Sequence, residues 1–108
     1  MTSNMTFHAQ VERRARLDYI IDTVGIGEVI AELRDERDPR IAYQRLTSTG
    51  VVVIVGADKR TIVTAFIANI DQAILIYKNA KNVSRLPDGL YRRIKSNQKY
   101  RRNQPCMK

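Results

Sequence analysis

Apolar positions recur near helical spacing in the first quarter of the chain. Phe7, Val11, Leu17, Ile20, Ile21 and Val24 form the stripe, while Arg13, Arg14, Arg16 and Asp18 fall mostly elsewhere. This pattern predicts an amphipathic helix over 7–23, with Thr6 as its cap and VGIG at 24–27 as its break. A second, short helix is expected over 27–35. Val29, Ile30 and Leu33 would be its buried stripe, and Glu28 suits its first turn through the helix dipole. RDERDPR then ends it, because Pro39 moves Asp38 away from the helical region.

The period changes in the middle of the chain. RIAYQRLT at 40–47 alternates, with Ile41, Tyr43 and Arg45 on one side and Ala42, Gln44 and Leu46 on the other. STG supplies a turn. VVVIV at 51–55 is β-branched throughout, and GADKR at 56–60 turns the chain into a further strand, TIVTAFIA at 61–68. The unbroken apolar run of 51–55 predicts a central strand covered on both faces. IDQAILIYKNA at 70–80 fits a helix through Ile70, Ile74 and Tyr77, and also a fourth strand; the β-branched and aromatic content of 73–77 favours the strand.

After the loop NVSRLPDG, residues 90–102 read as helix again. At about 100° per residue, Arg92, Lys95, Lys99 and Arg102 fall within an arc of roughly 80°, with Leu90 and Ile94 opposite. The expected fold class is therefore α+β: N-terminal helices packed on a three- or four-stranded antiparallel sheet. A compact body over 1–90 carries a basic C-terminal helix or tail over 91–108.

Composition narrows the chemistry. The chain has 108 residues, 44% hydrophobic and 28% charged, which suits one globular domain with its own core. No apolar run approaches the length of a membrane span, and no basic start leads into an apolar stretch, so neither a membrane partner nor a secretory signal is expected. With Cys106 as the single cysteine, an internal disulfide is excluded, which fits a reducing, cytoplasmic setting. One Cys and one His do not make a zinc site within one chain, and no metal or cofactor is expected. Asp35, Glu36 and Asp38 read as a solvated charged loop rather than a magnesium site. GxxxxGK and GxSxG are both absent.

Charge is distributed unevenly. The net charge is +8, and residues 81–108 alone carry nine basic residues against Asp88. Such asymmetry points to a polyanion, with nucleic acid first and RNA ahead of DNA. Arg92, Arg93, Lys95, Lys99, Arg101 and Arg102 are the expected phosphate contacts, and Tyr91 or Tyr100 the expected base-stacking ring. A solvated, frayed basic end is the competing reading of the same residues. His8, the one histidine, is the natural general acid or base, although a histidine at a helix start also serves as a surface or capping residue. Thr61 and Thr64 fall on opposite faces of their strand, so at most one lines a given cleft.

The order of parts carries a resemblance. A helical stretch with HA followed by arginines precedes TSTGVVVIVGADKRTIVTAFIA. Over residues 7–68 this resembles the barnase/RelE-type superfamily of small toxin ribonucleases, in particular small HA-x-x-R proteins allied to it. The arginines stand here as Arg13 and Arg14, one or two positions late. The resemblance implies a metal-independent endoribonuclease in which the RNA 2′-hydroxyl attacks the adjacent phosphorus, with His8 and Thr64 as the matching catalytic positions. Arg45, Lys59 and Arg60 are added as cations near the sheet. Two readings stay open. One is such an endoribonuclease, with a cognate inhibitor among its expected partners. The other is a non-catalytic phage or mobile-element regulator that binds nucleic acid or blocks a complex that handles it.

Overall fold

A computed structural model describes residues 7–34 and 43–101 of the chain, with side chains for 14–34 and 43–100. Thr6, Asp35, Glu36, Asp38, Pro39, Ile41, Ala42, Arg102 and Cys106 lie outside the described residues. In chain order the elements are α1 (Phe7–Thr23), β1 (Val29–Arg34), β2 (Tyr43–Thr47), β3 (Val51–Val55), β4 (Ile62–Ile67), α2 (Ile70–Lys81) and α3 (Asp88–Arg101). The strands form one antiparallel sheet in the order β1-β2-β3-β4. The fold is α+β, with one helix before the sheet and two after it.

The sheet is a sandwich filling. All five residues of β3 are buried. Val51, Val53 and Val55 join Ala65 and Ile67 of β4 against Ile20 and Val24 at the end of α1. Val52 and Ile54 join Ala31 and Leu46 against Ala73 and Ile76 of α2, with Leu86, Leu90 and Ile94 completing that cluster. Each such Val, Leu or Ile stabilises the fold by about 1.5–3 kcal/mol when taken from water. The two-faced burial expected of 51–55 is what the structure has.

Two elements depart from the sequence expectation. The segment expected as a second helix over 27–35 is the edge strand β1. Gly27 has φ +75° and sits so close to the 48–49 turn that an added Cβ would lie 2.7 Å from Ser48 Oγ. In that left-handed conformation Gly27 is not part of a helix. The segment is instead held on β2, with Glu32 opposite Arg45 and Leu33 opposite Gln44. Conversely, the strand expected over 73–77 is part of α2. Asn69 caps this helix by accepting from the Gln72 N–H at 2.7 Å, and Asn82 closes it in the left-handed region. Asp71 in the first turn and Lys78 and Lys81 in the last complement the dipole. With both ends satisfied, the helical spacing of Ile70, Ala73, Ile74 and Tyr77 outweighs the β-propensity of their side chains.

The third helix begins before the boundary expected at residue 91 and belongs to the same core. Leu90 and Ile94 are buried with α2, whereas Tyr100 packs against the cluster under α1. It therefore reaches both layers past the turn that joins β2 to β3.

Candidate nucleic-acid interface

The face of α3 opposite its basic stripe decides how that stripe is displayed. Leu90, Ile94 and Asn97 recur at i, i+4 and i+7 and are 7%, 0% and 2% exposed. Arg92, Lys95 and Lys99 lie on the other side of the helix and are exposed. Three contacts fix the rotation of α3. Asn97 Nδ2 donates to the Thr49 carbonyl at 2.8 Å, Arg93 Nη2 to the Val24 carbonyl at 3.1 Å, and the Tyr19 hydroxyl to the Tyr100 carbonyl at 3.2 Å. The side chain of Arg101 is outside the described set, as is Arg102 entirely.

The sequence-predicted contacts thus divide into groups. Arg92 and Lys95 form no ion pair among the described residues. Lys99 stands over the Tyr100 ring at 4.9 Å. Arg93 is anchored at the carboxyl end of α1, where a cation suits both the orphan carbonyl and the helix dipole. Tyr100 is half-buried by the core, but Tyr91 is 44% exposed beside the stripe. Of the two tyrosines, Tyr91 is the more exposed.

Two of the cations expected near the sheet, Arg45 and Lys59, are already engaged. Arg45 Nε donates to Glu32 Oε1 at 2.8 Å, and Lys59 Nζ is 3.6 Å from Glu32 Oε2 and 4.7 Å from the Tyr43 ring centre. Lys59 reaches this position from the left-handed region, φ +61°. Its turn is closed by Asp58, whose carboxylate accepts from the N–H groups of Arg60 and Thr61, both at 2.9 Å, and from the Thr61 hydroxyl at 2.7 Å. These donors, the Thr61 N–H foremost, lower the Asp58 pKa from 3.8 to about 2. Arg60 is exposed at the tip of the same turn.

Thr64 is half-buried on edge strand β4 and accepts a long hydrogen bond, 3.4 Å, from Arg16 Nη1 of α1. The side chain of His8 is outside the described set; its position on α1 precedes Arg16 by eight residues, about 12 Å of helix axis. Arg16 is the contact of Thr64 that sequence reasoning missed. Its position in the charged part of the α1 pattern was visible, but its target across the chain was not. Among the described residues there is no group of three His, Cys, Asp or Glu side chains that could hold a metal ion, and no helix long and apolar enough to cross a membrane.

Compared with protein-family models, with curated proteins and with solved structures, the chain matches none.

Proposed function

We propose that this chain is a small basic nucleic-acid-binding protein that grips phosphates with the outer face of α3, RNA being favoured over DNA. The observation that carries the reading is the two-sided character of this helix. Arg92, Lys95 and Lys99 share an exposed face, while Ile94 and Asn97 on the other are 0% and 2% exposed. A frayed tail would spread its cations over many directions. A docked helix holds them in one plane, so less ordering entropy is lost when a polyanion binds. Counterion release from the polyanion then supplies sequence-independent affinity.

The reading is tested by fluorescence anisotropy with labelled single-stranded RNA, with DNA and heparin as competitors in dilute buffer. Binding that weakens in Arg92→Gln, Lys95→Gln, Lys99→Gln supports it; indifference to all three polyanions refutes it. Deleting residues 91–108 is not a clean test, because it also removes Ile94 and Asn97 from the core.

A second reading is favoured by the Arg16–Thr64 contact. A guanidinium beside a hydroxyl on β4 is a pairing that stabilises a charged phosphorane, as the toxin-type ribonuclease resemblance requires. The groups acting on one phosphorus must lie within hydrogen-bond reach of it, and among the described α1 side chains Arg16 reaches the Thr64 hydroxyl. His8 remains the general base of this reading. Cleavage of labelled RNA in EDTA that disappears in both Thr64→Val and His8→Ala supports catalysis. Binding without cleavage leaves the regulator, acting on nucleic acid or on a complex that handles it.

A further inference from the structure

A pocket of 290 Å³ opens between α2 and the start of α3, lined by Ile74, Ser84, Arg85, Leu86, Asp88 and Tyr91. Its walls differ in kind. Leu86 is 6% exposed and Ile74 half-buried, which makes the lining beside the ring apolar. Tyr91, 44% exposed, supplies an aromatic surface. Ser84, Arg85 and Asp88 put a hydroxyl, a guanidinium and a carboxylate at the opening. The last two are held in a loose pair at 3.8 Å, with both side chains about four-fifths exposed.

We infer that this pocket receives one unstacked nucleobase of a single-stranded nucleic acid whose phosphates run along Arg92, Lys95 and Lys99. The inference rests on the binding role proposed for α3 and adds to it the form of the ligand. Tyr91, Lys95 and Lys99 stand at i, i+4 and i+8, so the three positions follow one another along the same side of α3 at steps of about 6 Å. A strand held by that row brings a base to Tyr91.

The chemistry of the pocket suits the base rather than the phosphate. An apolar wall and a phenol ring accept a π-face of any sequence. The polar groups at the mouth can donate to and accept from a base edge, whereas the Arg85–Asp88 pair carries no net charge to draw in a phosphate. The volume lies just below the roughly 300–1,000 Å³ of pockets for drug-sized ligands, as expected for a single ring system. A duplex cannot use the pocket without unstacking a base, so the inferred ligand is single-stranded.

The test compares three RNAs with the full chain at one salt concentration: a twelve-nucleotide oligo(A), an abasic strand with the same number of phosphates, and a twelve-base-pair duplex. Oligo(A) should bind about 5- to 150-fold tighter than the abasic strand, the range for stacking one base on an aromatic side chain. Tyr91→Leu should erase that difference, and Tyr91→Phe should preserve it. Equal affinity for oligo(A) and abasic strand, or a duplex bound as tightly as oligo(A), overturns the pocket assignment while leaving the phosphate-binding face intact. Failure of all three RNAs to bind overturns both.

Discussion

Asn97 on α3 and Thr49 in the β2–β3 turn are joined by a 2.8 Å hydrogen bond from the Asn97 side-chain amide to the Thr49 carbonyl. Asn97 is 2% exposed, so the bond is sheltered from water on the donor side. Thr49 is itself tied to the segment after α1, its hydroxyl lying 2.6 Å from the Gly25 carbonyl and 2.8 Å from that of Ile26. One turn thereby connects the end of α1, the sheet and the basic helix. The direction in which Arg92, Lys95 and Lys99 point depends on it.

Replacing Asn97 by Ala should leave the Thr49 carbonyl without its side-chain donor and a gap beside Ile94. The expected loss is about 1–3 kcal/mol, the cost of a buried polar group left unmade. A shift in the urea midpoint at unchanged slope is the readout. A neutral result would show that water replaces the amide.

Gly50→Ala should damage the same junction from the sheet side. Gly50 has φ +83°, and an added Cβ would lie 3.0 Å from both Asn97 Nδ2 and Ile94 Cγ1. The left-handed backbone alone costs an alanine about 1–2 kcal/mol, and the contacts add to this. Thermal unfolding should show Gly50→Ala to be at least as destabilised as Asn97→Ala.

The salt dependence of RNA binding should separate the two groups of cations. Each phosphate contact on a single strand contributes a slope of about −0.7 in log affinity against log salt. Neutralising Arg92, Lys95 and Lys99 together should therefore flatten the slope by roughly 2. Arg45→Gln should leave it unchanged, because this guanidinium is held by Glu32 at 2.8 Å. An equal effect of Arg45→Gln would move the interface onto the sheet.

Acid should loosen the 56–61 turn through Asp58. Its folded pKa of about 2 lies below the ordinary 3.8, so the folded state binds this proton less readily than the unfolded chain. The stabilisation is complete above about pH 4 and is lost as pH falls through about 2. A carbon-detected NMR titration of the Asp58 carboxyl should have its midpoint near 2, and the Arg60 and Thr61 amide resonances should move with it. A midpoint near 4 would mean that the turn's hydrogen bonds are not held in solution.

Lys59→Gly should have opposing effects. Relief of the left-handed backbone favours the variant by about 1 kcal/mol, and the lost contacts to half-buried Glu32 and Tyr43 are made by an exposed Lys59 ammonium and are therefore weak. Net stabilisation in thermal unfolding is the expected outcome. A net loss would show that the pairing over Tyr43 outweighs the strain.

Local pattern was sufficient wherever one segment's own periodicity named its partner surface. In the stripe expected over 7–23, Ile20 and Val24 are buried but Ile21 is 48% exposed. The buried run Val51–Val55 and the two-sided spacing of α3 are properties of consecutive residues, and each sets which face must leave water. The class of fold and the face of α3 that carries charge follow from them. Short apolar segments satisfy either period, which is why the sequence reads 27–35 as helix and 73–77 as strand, the reverse of what they are. Pairing with β2 decided the first, and a satisfied cap at Asn69 decided the second. The Asn97–Thr49 bond, the reach of Arg16 to Thr64 across 48 residues, and the pocket beside Tyr91 belong to the tertiary structure alone. Each requires groups distant in sequence to meet, and the free energy that brings them together is that of the whole core, not of any one segment.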